Sequence, residues 1–331
     1  MSNDRDAAER AVPPDSGSVT TGTIVLNPVA GSGDHAPRIH ELAERAGYDI
    51  HETEGAGDAT DLAARAAPET DLLVACGGDG TIQEVLRGAS RANALDDVTL
   101  GVLPAGTGNN FAGNIGVGSI EEGFDVLTDG EARRVDVGVA TAETPGESDR
   151  SLPFVNSCVG GLTAEASAST DPDEKSRIGV LAYVVNTFQE AVEFDGIRME
   201  VRTSDGIERQ WDGTTTCILV GNGRRFLGDG RTQADMEDGL LEVTIFEGEG
   251  ALDLAGSATI ERLLDDSAAD VVRLDTPALE VTVAGEEPAT FSLDGEMLTA
   301  RTLTVETDHQ ALWLRVGEAY EPNPEPGDES P

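Results

Sequence analysis

The stretch "DLLVACGGDGTIQEVLRGAS", Asp71 to Ser90, changes its periodicity once, at the glycines. Before them, Leu72 to Cys76 are apolar in succession, the pattern of a strand buried on both faces. After them, Ile82, Val85, Leu86 and Ala89 recur at helical spacing, so strand passes into helix across Gly77, Gly78, Asp79 and Gly80. Thr81 with Glu84 reads as a capping box, T-x-x-E, that would start the helix. A strand handed to a helix through glycine is half of a βαβ unit, and such a unit needs parallel neighbours.

The neighbours are present on both sides. "TIVLNP" (Thr23–Pro28) precedes "RIHELAERAG" (Arg38–Gly47), "YDIHET" (Tyr48–Thr53) precedes "ATDLAARAA" (Ala59–Ala67), and "TLGVLP" (Thr99–Pro104) follows. This alternation predicts a doubly wound parallel sheet with helices on both faces. From "RRVDVGVA" (Arg133–Ala140) onward the texture changes to short β-type runs, among them "LPFVNSCV", "TTTCILVGN", "LLEVTIF", "VVRLD", "LEVTV", "TLTVET" and "LWLRV". They predict an antiparallel sandwich or barrel, interrupted by helical patterns at Ile178–Phe194 and Ala251–Asp266. The expected class is α/β plus all-β. The expected division is an α/β domain over 22–134, a β domain over 135–317, and flexible acidic ends at 1–21 and 318–331.

Length agrees, since 331 residues exceed one ordinary core and 38% hydrophobic residues fill two. Against 63 Asp and Glu stand 22 Lys and Arg, Lys175 being the one lysine, for a net charge of −41. That balance excludes a nucleic-acid binder. Self-repulsion on this scale is screened in concentrated salt, so the composition implies a halophilic, salt-rich cytoplasm. Cys76, Cys158 and Cys217 are odd in number, widely spaced and set in apolar runs, which argues for core positions over disulfides or zinc. No run approaches about 18 apolar residues and no signal-peptide pattern opens the chain, so a cytoplasmic protein without a transmembrane segment is expected. His35, His40, His51 and His309 lack metal-ligand spacing and are expected on surfaces. Oligomeric state is left open, a homo-oligomer included.

In an open parallel sheet, ligands bind at the carboxyl ends of the strands. Three glycine clusters lie there: "NPVAGSG" (Asn27–Gly33), "GGDGT" (Gly77–Thr81) and "LPAGTGNN" (Leu103–Asn110). Glycine lets backbone approach a ligand closely, and a helix start offers free N–H groups to an anion. One such loop is usually a plain turn; three on one sheet edge point to a phosphate-binding crevice, which the Thr53 hydroxyl at the end of the second strand also faces. Asp79 would repel a bare polyphosphate, so either a divalent cation, Mg2+, bridges them or Asp79 hydrogen-bonds a turn amide. No lysine stands in these loops, which separates them from the P-loop.

"GGDGTIQEV", "LPAGTGNNFA" and, far downstream, "SLDGEM" (Ser292–Met297) resemble in order and spacing the diacylglycerol kinase catalytic family, the bacterial-type and sphingosine-kinase-like lipid kinases. The likeness covers about residues 22–317. It implies an N-terminal nucleotide-binding α/β domain, a C-terminal antiparallel β-sandwich and an active site between them that transfers the γ-phosphate of ATP to a lipid hydroxyl. By position it implies that Asn27, Thr53, Gly77, Gly78, Asp79, Gly80, Thr81 and Thr107 contact ATP. It puts Asp294 and Glu296 at the acceptor, one of them the proton acceptor. It implies a Mg2+ site at Asp235, Asp238 and the main-chain carbonyl of Leu240. Gln83 and Asn110 depart from the family's commoner Asn and Asp.

Glu296 follows Asp294 by two residues, so on an extended strand both would project to one face, each raising the other's proton affinity. An amphiphilic acceptor must be reached from the bilayer surface, which implies peripheral association at the inner face of the membrane. The apolar stripe Leu181–Phe194 would serve as the lipid-facing wall or pack on a sheet, and Arg224 and Arg225 would meet a phosphate or pair with neighbouring carboxylates. Two other activities fit the glycine loops: an NAD kinase, whose second signature has no counterpart here, and a non-catalytic nucleotide-binding regulator.

Overall fold

The computed structural model of the chain describes residues 13–14, 21–144, 146, 148–161, 196–204, 209–226, 232–248, 271–285 and 287–324. The helical patterns expected at 178–194 and 251–266, with the lipid-facing stripe, lie outside these residues, as do 1–12, 15–20 and 325–331 of the two ends.

The first part comprises β1 (Gly22–Leu26), α1 (Ala36–Ala46), β2 (Asp49–Glu52), α2 (Asp58–Ala66), β3 (Leu72–Gly77), α3 (Asp79–Arg91), β4 (Thr99–Pro104), α4 (Asn110–Asn114) and α5 (Ile120–Asp129). The strands lie in the order β2, β1, β3, β4, all parallel. Their side chains alternate between two faces, and each face finds helices. Ile24, Leu26, Leu72, Val74 and Cys76 pack with Ile39 of α1 and Phe124 of α5; Val25, Leu73 and Ala75 pack with Ala63 of α2 and Ile82 and Val85 of α3. This explains why Leu72–Cys76 shows no polar alternation: the sheet is doubly wound, as the pattern predicts.

The capping box is not formed. Gly78, in extended backbone, is the N-cap of α3, and Thr81 lies inside the first turn. Glu84 instead accepts hydrogen bonds from the Gly57 (3.0 Å) and Ala59 (3.2 Å) amides, at the start of α2. The start of α2 has no side-chain cap of its own, and its free N–H groups attract a carboxylate from the next helix.

The second part comprises β5 (Glu131–Glu143), β6 (Arg150–Phe154), β7 (Ser157–Gly161), β8 (Ile197–Thr203), β9 (Gln210–Gly221), β10 (Leu241–Glu247), β11 (Val271–Thr276), β12 (Ala278–Val283), β13 (Ala289–Leu293), β14 (Glu296–Ala300) and β15 (Thr302–Val316). These strands pair antiparallel with one another and enclose a second core containing Ala140, Phe154, Met199, Ile218, Val243, Leu279, Phe291 and Leu303. "TLTVET" and "LWLRV", which read as two strands, are one strand of 15 residues, irregular between Asp308 and Leu312. β15 pairs antiparallel with β12 and β5, then parallel with β4 through Trp313 and Leu314. One hydrogen-bonded network therefore runs through both parts.

Residues 318–324, counted from their polarity as part of a flexible end, pack back onto the first part: Tyr320 is buried in its core and its hydroxyl donates to Glu237 Oε1 (3.0 Å). The three cysteines are free and buried, and burial pushes the Cys76 thiol up to about 12. His35 is buried, contrary to expectation, because its Nε2 is hydrogen-bonded to the Asn27 carbonyl (3.0 Å). Among the described residues no helix is long and apolar enough to cross a membrane.

Candidate active site

The three glycine clusters meet at the carboxyl edge of the parallel sheet. Ala105 and Gly106 donate their amides to the Gly77 carbonyl at 2.9 and 3.2 Å, and Asn27 Nδ2 lies 3.4 Å from Thr81 Oγ1. The contacts admit no side chain: a methyl on Gly106 would stand 2.4 Å from Gly78 Cα, and one on Gly31, at φ +55°, 2.5 Å from the Ala105 carbonyl oxygen. Beside them opens a cavity of about 460 Å³ lined by Ser32, His35, Pro104, Gly106, Thr107 and Ile120. Thr53 follows β2 directly, its amide bonded to the Leu26 carbonyl (2.9 Å), outside that lining. Gly78 precedes α3, Gly80 is exposed in its first turn and Thr81 is buried. This cradle of glycine backbone at a helix start fits a nucleotide's phosphates.

Asp79 makes the hydrogen bonds of the turn-amide reading. Its Oδ2 accepts from the Asn110 amide (3.1 Å) and Nδ2 (3.2 Å), its Oδ1 from the Phe111 amide (3.0 Å). The carboxylate thereby fastens the start of α4 and the 104–110 loop to α3, and Asn110 is its side-chain partner.

The Asp294–Glu296 stretch is built differently from the extended strand expected. Asp294 (φ +48°) and Gly295 (φ +99°) form the two-residue turn between β13 and β14, so Asp294 and Glu296 diverge. The Asp294 carboxylate turns back to accept the amides of Val155 (2.8 Å), Asn156 (3.1 Å) and Ser157 (2.6 Å). Burial pushes its carboxyl up to about 6; the three amides oppose this, and the negative charge of Asp79 adds to it. α4, whose start is bonded to Asp79, also reaches Asn156 through Asn114 Nδ2 (3.4 Å to Asn156 Oδ1), and the Asn156 amide binds Asp294, so a short chain of hydrogen bonds joins the surroundings of the two carboxylates. Glu296 Oε1 lies instead between Arg87 Nη1 of α3 and Arg150 Nη2 of β6, 3.0 Å from each, in a cleft of about 500 Å³ shared with Thr60, Arg91 and Ser151.

Sequence reasoning missed Arg87 and Arg150, and with them the function of Gln83. Gln83 Nε2 donates to the Pro153 carbonyl (2.6 Å), joining α3 to β6, while its Oε1 is buried without a partner. The available signal was spacing: Gln83 and Arg87 are four apart and share the helix face turned toward β6.

The carboxylate turn lies before β10. Asp235 accepts from the Glu237 amide (2.9 Å) and Asp238 from the Leu240 amide (2.8 Å). Burial pushes Asp238 up to about 6 and raises Asp235, and in each the neighbouring carboxylates, Asp136 among them, push the same way. Crowded, desolvated hard oxygens fit Mg2+. Among the described residues no three His, Cys, Asp or Glu side chains converge as a full ligand set, so the Leu240 carbonyl and water would complete the shell.

The diacylglycerol kinase catalytic domain matches residues 21–140, and the YegS C-terminal NAD kinase beta sandwich-like domain matches residues 156–316. A probable lipid kinase YegS-like of Klebsiella pneumoniae is 28% identical over 302 residues, 88% of this chain and 95% of its own. The lipid kinase YegS of Escherichia coli is 27% identical over 247 residues, 74% of this chain and 77% of its own. A crystal structure of a putative diacylglycerol kinase from Bacillus anthracis shares the fold, with TM-score 0.73 at 24% identity, covering 93% of this chain and 99% of that one. With matched regions that run in order along most of its length, the chain belongs to the diacylglycerol kinase catalytic-domain family, a family of lipid kinases, and is a kinase.

Proposed function

We propose that this kinase transfers the γ-phosphate of ATP, with Mg2+, to the hydroxyl of a lipid: diacylglycerol, a sphingoid base or an ether lipid. The observation that supports the reading is the hydrogen-bonded chain from Asp79 through α4 and Asn156 to Asp294, which relates the glycine cradle to the "DGE" turn. ATP is the donor for which Asn27, Thr53, the Gly77–Thr81 run and Thr107 form the binding edge. A divalent cation held at Asp235, Asp238 and the Leu240 carbonyl supplies positive charge in a chain of net charge −41.

Phosphoryl transfer needs alignment and charge neutralisation more than covalent help. Asp294 is the proton acceptor in this reading. A carboxylate offers about four lone-pair directions and amides occupy three here, which leaves one on Oδ1 for the attacking hydroxyl. Its pKa near 6 leaves it ionised at neutral pH yet basic enough to take a proton. Glu296, held by two arginines, positions the acceptor cleft. The lipid is met at the inner membrane surface, in a salt-rich cytoplasm.

The test is incubation with labelled ATP in molar KCl and Mg2+, with diacylglycerol vesicles in one arm and NAD in the other. Label is expected in the lipid. Label confined to NAD, or nucleotide binding without transfer in either arm, overturns the reading.

A further inference from the structure

The pair Arg224–Arg225 follows "VGN" at the end of β9, and the two side chains have opposite fates. Arg225 is spent on Glu242, with Nε at 3.0 and 3.1 Å from the two carboxylate oxygens and Nη2 at 2.7 Å. Arg224 is 6% exposed, its Nε is buried without a partner, and among the described residues no carboxylate lies within ion-pair distance of its guanidinium. Leaving such a group unpaired is costly, and a native fold retains it where a ligand completes it.

Its surroundings say which ligand. Asp79 and Asp294 both attract the Arg224 charge, partly offsetting the burial that lowers its pKa. The backbone that carries it is wedged between the two catalytic elements. Asn222 and Gly223 donate their amides to the Asn156 carbonyl (3.0 and 3.2 Å), and Asn156 in turn donates to Asp294. Asn114 Nδ2 of α4 donates to the Gly223 carbonyl (3.1 Å). A methyl at Gly223 would meet the Val155 carbonyl at 2.7 Å and the ring of Phe111, whose amide binds Asp79, at 3.4 Å. Arg225 N–H donates to the Thr232 carbonyl (2.8 Å) and Arg224 bridges to Gln233, so the backbone is fixed on both sides of the free guanidinium.

Resting on the kinase reading above, we propose that Arg224 is a further catalytic residue, contacting the phosphoryl group as it passes from ATP to the acceptor. The acceptor oxygen forms its bond to the γ-phosphorus and its proton passes to Asp294. The bond from that phosphorus to the bridging oxygen breaks, and its electron pair leaves on ADP. The negative charge on the in-flight oxygens develops within the influence of Asp79 and Asp294, two carboxylates that repel it. A planar, permanently charged fork that both carboxylates attract offsets that repulsion at the moment of transfer, the role of an arginine supplied from the same chain.

The test pairs R224K with R224A and reads binding as well as turnover. Calorimetry measures Mg-ADP alone and Mg-ADP with fluoroaluminate, a mimic of the in-flight phosphoryl group, in molar KCl with dioleoylglycerol micelles. Wild type is expected to bind ADP more tightly with fluoroaluminate. Both variants should bind ADP alone as wild type does, lose that tightening, and turn over roughly 10³-fold more slowly. Low guanidinium chloride should restore part of the turnover of R224A only. Retained tightening and turnover in R224A, or ADP binding lost in a folded R224K, overturns the assignment. Absence of both transfer and tightening in wild type overturns the kinase reading, and this one with it.

Discussion

Asp294 adopts a left-handed backbone that few residues besides glycine, asparagine and aspartate tolerate, and the "DG" turn selects it. That turn rotates the carboxylate out of line with β14 and into the Val155–Ser157 amides. "SLDGEM" is legible as a candidate functional stretch, but which carboxylate meets the Val155–Ser157 amides is not legible from an assumed extended strand. An Asp-Gly pair between alternating apolar runs is itself a hairpin signal and carries that information. Asparagine also suits the turn, so D294N should fold, while an amide cannot take the hydroxyl proton. Turnover is expected to fall by roughly 10²–10⁴-fold in D294N with nucleotide binding retained, as calorimetry and initial rates will show. In wild type, activity should be lost as pH falls below about 6, where Asp294 becomes protonated. Stability has the opposite sign: a carboxyl raised from 3.8 to about 6 on folding contributes stability below 3.8 that is lost as pH rises through 6. Burial sets this balance, with the three amides opposing it and the charge of Asp79 adding to it.

At the level of elements, α2 and α3 meet through Gly88, where a methyl would stand 2.5 Å from the Thr60 carbonyl oxygen and 2.6 Å from Ala63 Cβ. Alanine in a helix interior normally gains about 0.5–1 kcal/mol over glycine. Overpacking costs about 1–3 kcal/mol, and here it wins because the obstacle is α2 backbone. G88A should lower the free energy of unfolding by about 1–2 kcal/mol in urea titration at constant high salt; a stabilised variant would show that α2 is not held against α3. The strands and helices of the first part are legible because both sheet faces are covered and the apolar runs are unbroken. The partner of Glu84 is not, since it depends on which helix start lies nearest in space. The continuity of β15 is hidden too, because the polar interval Glu306–Gln310, with Gln310 at φ +52°, marks an irregularity inside a strand and reads as its end.

For the molecule as a whole, charge sets the conditions of folding. With a net charge of −41, mutual repulsion acts over about 10 Å at roughly 0.1 M salt and about 3 Å at 1 M. The free energy of unfolding should therefore rise steeply with KCl from tenths molar to molar, followed by circular dichroism; a flat profile would show the acidic surface to be already compensated. One connection governs how the molecule is made. β15 follows every other strand in chain order, yet it closes the parallel sheet beside β4 and lies between β5 and β12. On the ribosome, then, neither half has a finished edge until that late segment emerges, and the two are sealed in one event. A polypeptide interrupted before residue 302 leaves the tunnel with β4 and β12 unpaired along the edges that β15 would cover.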